Sequence, residues 1–154
     1  MSVAFRREGD EEHLEPKFEI PIPPGPNLVT ARGAAQIAAR VIEIEALLAG
    51  LTDETQIKAA KRDLRYWQTR QITAEPMPVP SGEMVEFGTR VTFLLNGKPR
   101  VLAIVGDDEA DPAGGSIAFS APLARALMGA EAGEFLPFGE REDAIEVQAI
   151  EVIT

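Results

Sequence analysis

Two stretches of the chain carry apolar residues at the three- and four-residue spacing of a helix that buries one face. The first seam runs through Ala34, Ile37, Val41, Ile44 and Leu48. The second runs through Ile57, Ala60, Leu64 and Trp67. Both spacings are typical of a coiled coil, and the short Gly50-Leu51-Thr52 connection makes the helices antiparallel neighbours. The pattern predicts a helical hairpin over residues 28–75, with Thr30 and Thr52 as N-caps.

The C-terminal half alternates between short apolar strands and turn residues. The predicted strands are 90–95, 100–105, 116–119, 134–138 and a last strand through Ile145, Val147 and Ala149. The phase of this last strand shifts at Ile150, which predicts a β-bulge or a strand buried on both faces. Asn96-Gly97 favours a β-hairpin turn. One short helix is predicted over 121–128, with Ser120 as N-cap and Gly129 as the C-terminal stop.

These elements predict an α+β protein in which a short antiparallel coiled coil precedes an antiparallel β domain with one short helix. Prolines at 76, 78 and 80 predict a stiff linker over residues 76–81, before a domain at 82–154. Residues 1–27 mix charge with five prolines and show no amphipathic period, which favours a flexible tail.

The charge of the chain, −10 in total, is concentrated at its C-terminal end. Residues 81–154 hold thirteen acidic and five basic residues, whereas residues 28–80 hold six and seven. A domain of charge −8 is repelled by nucleic acid, so we expect nucleic acid to be contacted at most indirectly, through a protein partner.

Composition also excludes several chemistries. The chain has no cysteine and one histidine, His13, which argues against a metal site built from these residues. No phosphate-binding glycine loop or activated nucleophile is present. We therefore expect no enzyme activity, no cofactor of its own and no metal site. No apolar run has the length of a leader or a membrane span, which predicts a cytoplasmic protein without membrane contact.

Three motifs in the C-terminal half carry a family resemblance. They are V-G-D-D-E-A-D-P at 105–112, S-I-A-F-S-A-P-L-A-R-A-L-M-G at 116–129 and E-A-G-E-F at 131–135. Together they resemble the C-terminal domain of the bacterial GreA/GreB transcription elongation factors. The family's helical hairpin is resembled more weakly by two further motifs, L-V-T-A-R-G at 28–33 and A-A-K at 59–61. The resemblance implies an FKBP-like C-terminal domain and RNA polymerase as partner, bound at the rim of its secondary channel.

The resemblance also implies which residues face the polymerase. In the acidic turn, defined here as residues 106–112, they are Asp107, Glu109, Asp111 and Pro112. Around the following helix they are Ser120, Pro122, Ala124, Arg125 and Met128. Leu123 and Leu127 are expected to face the sheet, and Ala124, Arg125 and Met128 to be exposed. A solvated turn is the alternative for the acids, while D-D-E-A-D-P lacks the ligand spacing of a calcium loop.

In the family, acids at the hairpin tip help to hold the magnesium ion with which the polymerase cleaves its own RNA. The family's tip motif is absent here, and Leu51-Thr52-Asp53-Glu54-Thr55 stands in its place. Asp53 and Glu54 are the acids near this turn and would share the polymerase's active-site magnesium. Alternatively, they offset the positive end of the helix dipole, since neighbouring helical residues point about 100° apart and chelate poorly together.

The second helix carries a basic stripe, defined by Lys58, Lys61, Arg62 and Arg65. It is either a solvated face or a contact for polymerase acids or RNA phosphate. Trp67 is expected to pack between the hairpin and the rest of the protein. The sequence thus predicts a polymerase-binding factor that modulates elongation or transcript cleavage through a shortened hairpin. The alternatives are an FKBP-like peptidyl-prolyl isomerase and a self-associating adaptor.

Overall fold

A computed structural model describes residues 19–153. Within them the chain forms two compact units. One unit contains residues 19–24 and 38–72, and the other contains residues 25–37 and 73–153. The base of the first predicted helix is therefore grouped with the C-terminal part of the chain.

The hairpin consists of α1 (Ala31–Ala49) and α2 (Glu54–Thr73), joined by residues 50–53, which we call the hairpin tip. The predicted N-cap of α1 is confirmed, because the backbone N–H of Gly33 donates to Thr30 Oγ1 at 2.9 Å. The predicted N-cap of α2, Thr52, is wrong. The Gln56 N–H donates to Asp53 Oδ2 at 3.0 Å, and a carboxylate also suits the positive end of the helix.

The predicted seam buries one face of each helix. On α1, Ile37, Val41 and Ile44 are each less than a tenth exposed. On α2, Ala60 is buried, and the Arg40 guanidinium of α1 lies 5.6 Å from the centroid of the Trp67 ring. Because only four residues connect the two helices and their side chains are in contact, the helices are an antiparallel pair. The ring contacts described for Trp67 are with Arg40 and Tyr66 of the hairpin, so its packing against the rest of the protein stays a prediction.

Two sheets are present in the second unit. A two-stranded parallel sheet, which the sequence did not predict, pairs β1 (Leu28–Val29) with β2 (Glu75–Pro76). The Met77 N–H extends this pairing by donating to the Val29 carbonyl at 3.0 Å. The residues before α1 and after α2 are thus hydrogen-bonded to each other, and the first predicted linker residue, Pro76, is part of a strand.

The larger sheet has five strands in the order β5-β4-β3-β7-β6. They are β3 (Thr89–Leu95), β4 (Lys98–Val105), β5 (Ser116–Ala118), β6 (Phe135–Phe138) and β7 (Arg141–Val152). The α+β class and the strands are confirmed, with one correction. β5 lies parallel to β4, because the acidic turn and a 3₁₀ turn at Pro112–Gly114 return the chain before β5 begins. The likeness to the FKBP fold stays a prediction.

Two local features of this sheet agree with the sequence predictions. Asn96 and Gly97 both have positive φ, 52° and 83°, as the tight turn between β3 and β4 requires. The register between β3 and β7 shifts after Thr92, which pairs with Ala149, whereas Phe93 pairs with Val147. Gln148 is therefore the extra residue of a β-bulge, and the predicted phase shift is confirmed.

The core of the second unit lies between this sheet and α3 (Pro122–Leu127). Val91, Phe93, Ile104, Leu127 and Ile145 are all fully buried there. The acidic turn leaves the sheet at the end of β4, and α3 begins four residues after β5 ends. Both predicted docking segments are therefore held against one apolar core.

Candidate functional site

The acidic turn begins at a close approach between two backbones. Gly106 is buried, and a Cβ at this position would overlap the carbonyl oxygen of Leu28 in β1. Only glycine leaves room for this approach. The beginning of the acidic turn is thereby fixed against the strand that precedes α1.

Glu109 connects the acidic turn to the first turn of α1. Its carboxylate accepts a hydrogen bond from the Thr30 hydroxyl, Oγ1 to Oε1 2.5 Å. The same Thr30 oxygen accepts the Gly33 N–H that starts α1. A Cβ at Gly33 would lie 2.7 Å from Glu109 Oε1, so the small residue at 33 lets the carboxylate approach. Glu109 is half-buried and is engaged by this contact, although the sequence assigned it to a partner surface.

Asp107 joins the acidic turn to another segment of the same domain. The Ser120 hydroxyl donates to Asp107 Oδ1 at 2.7 Å, which joins the acidic turn to the segment before α3. This bond explains why the prediction of Ser120 as N-cap is wrong. The N-cap of α3 is Ala121, whose methyl side chain cannot accept a capping bond, and the Ser120 hydroxyl one residue earlier is directed to Asp107.

Asp111 and Pro112 lie on the surface at the end of the acidic turn. The Asp111 backbone forms an isolated bridge with Ser116, and its N–H donates to the Ser116 carbonyl at 3.1 Å. Its side chain makes no capping bond to the 3₁₀ turn that follows, and both residues are exposed. A carboxylate on a fixed backbone is thus presented to solvent.

Of the three residues around α3 that were predicted to be exposed, Arg125 and Met128 are exposed and Ala124 is not. Pro122, Arg125 and Met128 are exposed. Ala124 is fully buried, so its predicted exposure is wrong. It lies one helical turn before the buried Leu127, which places both on the core-facing side, while Leu123 is half-buried. Gly129 ends the helix with φ 86°, which confirms the predicted stop.

Asp53 in the hairpin tip and Glu54 at the start of α2 have different surroundings. Asp53 and Glu54 are both exposed. One oxygen of Asp53 accepts the Gln56 N–H in the cap of α2, whereas Glu54 begins the helix as the acid of its first turn. Their role at a magnesium ion stays a prediction. Within residues 19–153, no group of three His, Cys, Asp or Glu side chains is placed to hold a metal ion.

Among the described residues, the basic stripe takes part in an ion pair that the sequence did not reveal. Lys58, Lys61 and Arg65 are exposed and Arg62 is half-buried. Arg65 donates from Nε and Nη2 to the two carboxylate oxygens of Glu19, both at 2.6 Å. The hydrogen bond from Arg65 lowers the pKa of Glu19, and the charges of Arg65 and Arg62 lower it further. The partners are 46 residues apart, a distance at which no sequence spacing signals a contact.

A family comparison matches the part of the chain that contains the acidic turn and α3. The family model described as "Transcription elongation factor, GreA/GreB, C-term" covers residues 80–153. Residues 80–153 are thus similar to the C-terminal domain of the GreA/GreB factors. The resemblance carried by the three motifs is therefore confirmed by an independent comparison.

Curated relatives include transcription elongation factor GreA of Ralstonia nicotianae, 39% identical over 51% of this chain and 52% of that protein. GreA of Pseudomonas putida is 28% identical over 99% of this chain and 94% of that protein. In several of the curated relatives, the match spans about half of the relative's length. A crystal structure of GreA factor homolog 1 from Thermus thermophilus is 18% identical, covering 82% of this chain and 99% of that one, with a TM-score of 0.37.

No helix in the described part of the chain is sufficiently long and apolar to span a bilayer.

The predicted site residues divide into an exposed set and a set that is half-buried or buried. Asp111, Pro112, Pro122, Arg125 and Met128 are exposed, and Asp107, Glu109, Ser120 and Ala124 are half-buried or buried.

Proposed function

We propose that this chain is a transcription elongation factor that binds bacterial RNA polymerase in the cytoplasm through its GreA/GreB C-terminal domain. The observation that carries the proposal is the family match over residues 80–153, which includes the whole acidic turn and α3. The rim of the polymerase's secondary channel is the docking place that the family resemblance implies. The contacting residues are the exposed Asp111, Pro112, Pro122, Arg125 and Met128.

Asp107, Glu109 and Ser120 have a different role in this proposal. Because their side chains are used in hydrogen bonds to each other or to Thr30, they position the docking surface and do not contact the partner. A rigid surface loses little conformational freedom when it binds. The family's docking residues thus divide here into a group that makes contacts and a group that holds the first group in place.

The length of the hairpin and the contacts at its tip favour a factor that modulates elongation and competes with cleavage factors. They argue against a factor that delivers a catalytic ion. With nineteen residues, α1 is ~28 Å long. One oxygen of Asp53 is engaged in capping α2, and a hard cation such as magnesium needs oxygen ligands that are available to it. The chain itself supplies no cofactor or active site in this proposal.

The proposal is tested by adding the full chain to polymerase stalled in backtracked complexes. We expect it to co-purify with the polymerase, to leave transcript cleavage unstimulated and to reduce the stimulation given by a cleavage-competent Gre factor. Stimulated cleavage that disappears in Asp53→Ala/Glu54→Ala would instead show that the tip acids share the polymerase's magnesium. Absence of co-purification would refute the proposed function. The isomerase and adaptor alternatives stay predictions that no contact among the described residues favours.

A further inference from the structure

The segment that precedes the hairpin is attached to the basic stripe of α2. Both oxygens of Glu19 accept hydrogen bonds from Arg65, with Nε to Oε1 and Nη2 to Oε2 each 2.6 Å. Two parallel bonds of this kind are the geometry with which arginine recognises carboxylates and phosphates. An anion of this chain thus occupies Arg65 in the manner expected of a bound ligand.

The contact involves more of the stripe than one residue. The charge of Arg62, one turn before Arg65, also lowers the pKa of Glu19, so the carboxylate lies in the field of both arginines. Residues 19–24 belong to the same compact unit as residues 38–72. Ile20, next to Glu19, is half-buried. The segment therefore covers the C-terminal end of the basic stripe, while Lys58 and Lys61 at its other end are exposed.

The ion pair is suited to being displaced. The Arg65 and Glu19 side chains are 56% and 41% exposed, and ion pairs between exposed side chains contribute little to stability. However, the competing carboxylate belongs to the same chain, so it is present at a high effective concentration whatever the protein concentration. A ligand of Arg65 has to displace it, which lowers the apparent affinity without preventing binding.

We propose that residues 19–24 are an intramolecular competitor, in which Glu19 occupies the Arg65 site that a carboxylate-rich segment of a protein partner takes in the bound state. A carboxylate of a protein partner fits better than a phosphate of nucleic acid, because the group that occupies Arg65 here is itself a carboxylate. The inference rests on the proposed function in that the partner is a component of the transcription complex. This competition lowers the affinity of the hairpin for the carboxylate-rich segment, independently of binding by the C-terminal domain.

The test measures binding of a fluorescent glutamate-rich peptide to the full chain by anisotropy, for the wild type, Glu19→Gln and Glu19→Lys. We expect affinity to rise about two- to fivefold in Glu19→Gln, the range that corresponds to losing an exposed ion pair, and further in Glu19→Lys. The gain shrinks at high salt, since screening weakens exposed charges. The matched controls are Glu83→Gln and Glu83→Lys, which change the same charge at an exposed glutamate of the other compact unit.

Three outcomes are informative. Equal affinity in wild type and Glu19→Gln, or an equal gain in the Glu83 controls, would overturn the competitor role. A gain for a short single-stranded RNA that exceeds the gain for the peptide would overturn the protein partner. If the double variant Glu19→Gln/Arg65→Gln kept the gain in peptide affinity over the wild type, the competitor role would also be contradicted, because the gain is expected to require Arg65. Polymerase co-purification is scored separately, so loss of the proposed function is distinguishable from loss of this contact.

Discussion

The acidic turn and the hairpin tip are both short connections with carboxylates that the sequence assigned to partners, yet they use these carboxylates differently. In the acidic turn, Glu109 bonds to Thr30, 79 residues away, and Asp107 bonds to Ser120, 13 residues away. At the hairpin tip, Asp53 bonds to a backbone N–H three residues along. The turn acids hold distant segments together, whereas the tip acid serves its own helix.

An acidic run is therefore not by itself a binding surface. Within the acidic turn, Asp107 and Glu109 accept hydrogen bonds from hydroxyls of the protein, whereas Asp111 is exposed and is the acid that we propose to contact the partner. In the proposed function, positioning residues and contacting residues therefore stand side by side in one motif. The two groups are expected to differ in what their substitution changes, which is stability for the positioning residues and binding for the contacting residues.

The largest effect is expected for Gly106→Ala at the beginning of the acidic turn. The added Cβ would overlap the Leu28 carbonyl, a backbone atom that has no alternative rotamer. We expect a loss of about 2–3 kcal/mol in the free energy of unfolding, the upper range for overpacking. Urea denaturation measures it, with Gly50→Ala of the hairpin tip as control, where the nearest atom lies 3.8 Å away. Equal stability of the two variants would contradict the close approach.

Glu109→Ala is expected to have the next largest effect. It removes the acceptor of the half-buried Thr30 hydroxyl, and hydrogen bonds to charged groups contribute about 1.5–3 kcal/mol. The control is Asp111→Ala in the same turn, whose side chain makes no capping bond and which should change stability by less than about 0.5 kcal/mol. Thermal unfolding decides between them. If Asp111→Ala were the more destabilising, the division into positioning and contacting acids would be wrong.

Asp53→Ala tests the local use of an acid at the hairpin tip. Loss of the N-cap bond to Gln56 should cost about 1 kcal/mol of helix stability. Thr52→Ala is the matched control, because Thr52 is exposed and lies one residue before the cap. Circular dichroism during thermal unfolding reports the difference. An equal loss in Thr52→Ala would restore Thr52 as the cap.

The smallest effect concerns the exposed pair of Glu19 and Arg65. Because Arg65 lowers the pKa of Glu19, the contact is present above the ordinary glutamate pKa and is lost as the pH falls through the lowered value. An NMR titration of the Glu19 carboxyl should give a midpoint below the usual range, which moves up in Arg65→Gln. If the midpoint were the same in Arg65→Gln as in the wild type, the ion pair would be contradicted.

Much of the fold could be predicted because its signals are local. The seam through Ile37, Val41 and Ile44, the Asn96-Gly97 turn and the bulge at Gln148 all follow from spacings of a few residues. The pairing of β1 with β2 could not be predicted, since two-residue strands 47 positions apart carry no pattern. The burial of Ala124 was missed because six residues of helix fix its phase poorly.

The candidate site was predicted less completely for the same reason. Family motifs indicated which segments matter, but the bonds of Thr30 with Glu109 and of Arg65 with Glu19 join residues 79 and 46 positions apart. Hydroxyl and guanidinium partners of this kind are chosen by tertiary proximity. No helical or strand period indicates them in the sequence.

The central claim is that the exposed end of the acidic turn and α3 dock on RNA polymerase. The most direct measurement is co-purification of polymerase with the full chain, comparing wild type, Asp111→Arg and Arg125→Glu with the exposed control Glu83→Arg. We expect charge reversal at Asp111 or Arg125 to weaken binding about tenfold or more, since like charges facing each other across an interface cost several kcal/mol, while Glu83→Arg binds as the wild type does. Undiminished binding in both reversed variants would contradict the docking surface.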